Sequence, residues 1–190
     1  TPPVTENPDP GKPGPGKPGN PGTQKPAPKF KIKKVTVKAA NQKPGVKTVY
    51  LKKGGKVTLS ATVTGTGKFS KAVEWGTSKK SVATVSKKGL VKAKKAGTAK
   101  ITVKSKANKS KKATITVKVL KKAVKNTKLK LKVTKKTLKK GKAYTVAIKS
   151  MTGKTTDAVT YKSSKSSVAS VDKFGVIKAK KKGKATITVK

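Results

Sequence analysis

The chain contains no cysteine, no histidine and no arginine, and only five of its 190 residues are acidic. Each absence excludes a class of chemistry. Without Cys or His there is no thiolate nucleophile, no imidazole base and no ordinary zinc site. The acids are Glu6, Asp9, Glu74, Asp157 and Asp172, too few and too scattered for the clustered oxygen ligands that calcium takes. A pair of glycosidase carboxylates could be drawn only from Glu74, Asp157 and Asp172, which fall in different repeats. The sequence therefore predicts no enzyme, no cofactor and no metal site. Lack of cysteine is common in reducing compartments, because small secreted domains lean on disulfides, but a β-sandwich core can do without them. No apolar run is long enough to cross a bilayer. No signal peptide is visible and the chain opens at Thr1, which reads as a fragment or a processed product of a larger multidomain protein.

What is present in excess is lysine. All 51 basic residues are Lys, and the formal net charge is +46. Such a chain repels itself, stays soluble and is drawn to polyanions. Nucleic acid, an anionic membrane and an anionic cell-wall polymer all fit that description, and charge does not choose among them. Sequence-specific nucleic-acid readout is disfavoured, because arginine supplies the bidentate guanine contact. Stacking platforms are also few, with three Phe, three Tyr and one Trp. Nonspecific DNA binding at low salt is expected of any protein this basic.

Composition divides the chain. Residues 1–29 hold every proline except Pro44, including the near-repeat Gly11-Lys12-Pro13-Gly14 and Gly16-Lys17-Pro18-Gly19. With no apolar periodicity, this stretch reads as a disordered Pro/Gly/Lys linker that tethers something upstream. Beyond it the sequence repeats: Val73–Lys104 aligns without gaps on Val159–Lys190, with 19 of 32 positions identical. Two copies read as two beads on a string. Within each copy the period is two, as in Lys128-Leu129-Lys130-Leu131-Lys132-Val133 and Lys100-Ile101-Thr102-Val103-Lys104. Alternation of that kind, rich in Val, Ile and Thr, predicts strands with one buried and one solvated face. The expected fold is all-β: two tandem sandwiches over residues 30–120 and 121–190. The first copy carries an insertion around Ala39–Thr48, which reads as a longer turn. It also continues into Ala113–Val119, a strand whose counterpart in the second copy would begin where the chain stops, so the second module is expected to lack its last strand.

The repeat resembles the group 2 bacterial immunoglobulin-like domain. The residues that carry the resemblance are Val73-Glu74-Trp75-Gly76-Thr77-Ser78, Ser81-Val82-Ala83-Thr84-Val85, Gly89-Leu90-Val91-Lys92-Ala93 and Gly97 to Val103, with the matching series Val159–Ser164, Val168–Val171, Gly175–Ala179 and Gly183–Val189. The resemblance implies an Ig-like sandwich of bacterial surface proteins, including adhesins related to invasin and intimin, or an accessory module of secreted polysaccharide-degrading enzymes. It implies no catalysis, cofactor or fixed ligand, since one fold hosts many functions.

Trp75 and Tyr161 occupy equivalent positions and are expected to anchor the core between sheets; the alternative for Trp75 is an exposed platform for stacking a sugar. Gly89/Gly175 and Gly97/Gly183 are expected in turns that need positive φ. The candidate polyanion contacts are the lysine clusters Lys79-Lys80, Lys87-Lys88, Lys94-Lys95 and Lys180-Lys181-Lys182. Lysine on strand edges also keeps sheets from pairing between molecules, which accounts for some of them. The partner expected is an anionic cell-wall polymer or another polyanion, on a secreted or surface-bound protein of a Gram-positive bacterium, with a carbohydrate or host-surface ligand as the alternative. An intramolecular isopeptide crosslink is a further option and needs a buried lysine beside an Asn or Asp.

Overall fold

The computed structural model describes residues 30–190; the linker expected over residues 1–29 lies outside them. The first module contains β1 (Lys31–Ala39), β2 (Thr48–Lys52), β3 (Lys56–Thr66), β4 (Val73–Thr77), β5 (Ala83–Val85), β6 (Leu90–Ala93), β7 (Gly97–Ser105) and β8 (Lys112–Leu120). They form two four-stranded sheets, ordered β1-β3-β6-β5 and β2-β8-β7-β4. The pairs are antiparallel except β2 with β8, which is parallel. Alternation explains the packing: Ala99, Ile101, Val103 and Ser105 of β7 are buried, while Lys100 and Lys104 between them face water. Across the ladder Ile101 stands opposite Ile115 and Ala99 opposite Val117, and these side chains meet Val49, Leu59 and Val91 from the other strands in one core. Each fully buried Val, Leu or Ile contributes roughly 1.5–3 kcal/mol.

The second module is built from shorter pieces: β9 (Leu129–Leu131), β10 (Ala143–Thr145), β11 (Ile148–Met151), β12 (Tyr161–Ser163), β13 (Ala169–Val171), β14 (Val176–Ala179) and β15 (Ile187–Val189). The repeat read from sequence is a repeat in space. Trp75 faces Val103 as Tyr161 faces Val189, and Val85 faces Val91 as Val171 faces Ile177. Thr77 Oγ1 donates to the Ala83 carbonyl just as Ser163 Oγ donates to that of Ala169. The core of this module is smaller, centred on Val146, Ile148 and Val159, and among the described residues it has no counterpart of β8. The alternation expected through Val133 stops early. Its partner β11 begins at Ile148 opposite Leu131, so no strand covers Val133, which is 39% exposed.

The modules meet through the inserted turn of the first. Asn41 adopts a positive φ of 55°, and its N–H donates to the Lys173 carbonyl at 2.6 Å while its carbonyl accepts from the Val159 N–H at 2.7 Å. Its side-chain amide donates to the Val159 carbonyl at 3.2 Å, and the Tyr161 hydroxyl donates to the Gln42 carbonyl at 3.1 Å.

Candidate functional site

Alternation sends lysine outward on every strand, and the structure carries this through. Among the described residues every lysine is exposed except the half-buried Lys43. The isopeptide option needs a buried lysine, and none of the described lysines is buried.

The candidate clusters are all exposed, but the fold does not gather them into one patch. Lys79-Lys80 and Lys94-Lys95 come together, because the N–H groups of Lys94 and Lys95 donate to the Val82 carbonyl, next to the turn that Lys79 opens. In the second module Lys180 and Lys181 bond the Val168 carbonyl in the same way, beside Lys165. Lys87-Lys88 lies apart, in the hairpin between β5 and β6. Sequence runs alone would also miss lysines that meet across strands. Lys104 stands directly opposite Lys112, and Lys56 opposite Lys92. The flanking bonds, Ser105 N–H to Lys111 carbonyl and Ala93 N–H to Gly55 carbonyl, make both pairs non-hydrogen-bonded ones, where side chains approach most closely. Like charges opposed there destabilise a sheet. The pairs are invisible in sequence because pairing register joins residues from separate strands.

The acids are engaged locally. Asp172 Oδ1 accepts from the N–H groups of Phe174 and Val176, and Asp157 accepts from the Asn126 N–H. Glu74 of β4 faces Lys104 of β7 across their shared ladder. Among the described residues no group of three or more acidic side chains could hold a metal ion.

Trp75 packs half-buried against the apolar clusters of the first module. Its ring lies over Gly89, where an added Cβ would stand 3.1 Å from it. Tyr161 closes over Gly175 in the same way, packs against the second core, and uses its hydroxyl at the joint. Burial, and secondarily the Asp172 carboxylate, push its pKa up to about 12. Beside Trp75, a shallow concavity of about 350 Å³ opens over Gly76, lined also by Glu74, Thr102, Lys104 and Lys112. The residues that sequence reading left without a role are Asn41 and Gln42, which lay inside an insertion read as a longer turn. An Asn before a Pro-Gly tip is a turn signal, but nothing local says what the turn touches.

Comparison with known proteins supplies the rest. Residues 32–117 and 123–190 each match the family described as bacterial Ig-like domain (group 2). A curated relative, kappa-carrageenase of Pseudoalteromonas carrageenovora, is 50% identical over 56 residues, which is 30% of this chain and 14% of the relative. Among solved structures, an intimin mutant of EHEC O157:H7 aligns over 53% of this chain and 51% of its own, with 20% identity and a TM-score of 0.34. The S-layer protein rSbsC(31-844) aligns over 85% of this chain and 27% of its own, with 22% identity and a TM-score of 0.37.

Proposed function

The chain belongs to the group 2 bacterial Ig-like family, and from that premise we propose a noncatalytic, extracellular module that anchors or spaces an attached upstream domain at the bacterial envelope. Attraction between its lysines and anionic polymers of a Gram-positive wall supplies the hold. The observation that carries this reading is the opposition of Lys56 to Lys92, neither of which faces an acid across a ladder, in a chain of formal net charge +46. An unbalanced pair at closest approach leaves a potential that a polyanion relieves, with release of its counterions. A flat face that binds in this way needs no shaped pocket.

Binding to isolated cell walls across a salt gradient tests the reading. Expected is strong retention at low salt, with the logarithm of affinity falling linearly with the logarithm of salt concentration. No retention at low salt, or retention indifferent to salt, would overturn it. A second reading, recognition of a carbohydrate, draws on the concavity over Gly76, which lies on the face of β4 opposite the Trp75 ring. Selective, salt-insensitive binding to a neutral glycan would establish that reading, because charge cannot produce it.

A further inference from the structure

The joint between the modules has a plug and a seat. The plug is the Asn41-Gln42 turn, which links β1 to β2, the outer strands of the two sheets on one side of the first sandwich. The seat is the edge of β12 in the second module. Thr160 and Lys190 exchange both backbone bonds, so the groups of Val159 point away from the sheet and meet Asn41. The Lys173 carbonyl and the Tyr161 hydroxyl complete the seat.

The first module carries the same seat at the equivalent place. In its sheet β4 is the outer strand on the side opposite the plug. Lys106 N–H donates to the Ala72 carbonyl and Ser78 N–H to that of Lys100, which fixes the alternation along β4 and leaves the backbone groups of Val73 pointing outward, as those of Val159 do. Lys87 stands where Lys173 stands, at the same point of an identical hairpin. Trp75 stands where Tyr161 stands. Among the described residues no buried side-chain polar atom lacks a partner, and the Trp75 indole N–H, which bonds to none of them, offers a donor where Tyr161 offers its hydroxyl. A further position also differs. Lys88 replaces Phe174, which helps line the concavity under Pro44 and Gly45; its methylene stem can cover apolar surface while the ammonium stays in water.

We propose that the β4 edge of the first module, through Val73, Trp75 and Lys87, is a docking seat for the Asn41-type turn of another Ig-like module of the same build. Plug and seat occupy opposite sides of one sandwich, so the contact is heterologous and can repeat from module to module. Edge strands with outward backbone groups are the usual sites of such docking. The array has a direction. In the second module the connection from Leu131 to Leu138 is half as long as that from Val37 to Leu51 in the first, and it holds no counterpart of Asn41. The second module therefore takes a plug and offers none, and modules add on the β4 side of the first. This inference is independent of the lysine reading.

A tandem duplication tests it: residues 30–122 placed ahead of residues 30–190, which reproduces the natural spacing between modules. The chain has no cysteine, so pairs of spin labels can be introduced cleanly at exposed lysines. In the native chain, labels at Lys118→Cys and Lys178→Cys report the existing joint. In the duplicated chain, Lys118→Cys of the added copy and Lys92→Cys of the next report the new one, since Lys92 is the counterpart of Lys178. Expected are two narrow distance distributions with the same mean, and broadening of the new one alone when Asn41→Ala is placed in the added copy. A broad new distribution beside a narrow native one overturns the proposal. So does a narrow one with a different mean, or one indifferent to Asn41→Ala. If the native pair is itself broad, the joint is not a fixed one and the proposal fails with it.

Discussion

The Tyr161 hydroxyl donates to the carbonyl of Gln42, 119 residues away in the chain and in the other module, at 3.1 Å. The aromatic that anchors the second core thus also holds the first module. Tyr161→Phe keeps the ring over Gly175 and removes only this bond. Expected is a loss of about 0.5–1.5 kcal/mol in the coupling between modules, read as the change in unfolding free energy of the full chain by denaturant titration. A larger loss would mean that the substitution disturbs the core as well.

The same hydroxyl makes the joint sensitive to alkali. Its pKa in the folded chain is raised to about 12, by burial first and by Asp172 second, whereas an unfolded tyrosine titrates near ~10. A raised pKa means that the folded state favours the neutral phenol. Its contribution is complete below about pH 10 and is lost as pH rises toward about 12. Unfolding followed over that window should show a decline that is smaller in Tyr161→Phe than in the native chain; equal declines would exclude Tyr161 as a cause.

Gly89 has a φ of 78°, and a Cβ there would run into the Leu59 carbonyl and stand 3.1 Å from the Trp75 ring. That carbonyl belongs to the backbone of β3, so it cannot swing aside. Gly89→Ala should cost more than about 1 kcal/mol, since it combines an unfavourable backbone conformation with a clash. The emission of Trp75, the one tryptophan of the chain, reports the first module directly. Gly141→Ala is the comparison: its φ is also positive, at 81°, but open space surrounds the added atom, so it should cost less.

Lys112→Glu separates stability from binding. It turns the Lys104–Lys112 opposition into an attraction, and should stabilise the first module by roughly 0.2–1 kcal/mol. On isolated walls the same variant should bind more weakly, with a salt slope shallower by about one. Greater stability with unchanged wall binding would show that this face is not the one that binds.

Most of the sandwich was legible because burial on a strand alternates with period two. Ile101 and Val103 announce a buried face through Lys100, Thr102 and Lys104 beside them. The equivalent placement of Trp75 and Tyr161 was legible because a gapless repeat puts equivalent residues in equivalent folds. Val133 shows the limit of that logic. Alternation marks a residue as fit for a core, but only a neighbouring strand can cover it, and β11 starts too late.

The sequence by itself determined the class of fold, the duplication and the outward course of the lysines, because these follow from local periodicity and from side chains that must keep their charge in water. Which lysines confront one another, and that Asn41 of one module closes on Val159 of the next, only the tertiary structure decided. Those contacts depend on strand register and on the approach of segments more than a hundred residues apart, and backbone groups that form them carry no side-chain signature to be read in advance.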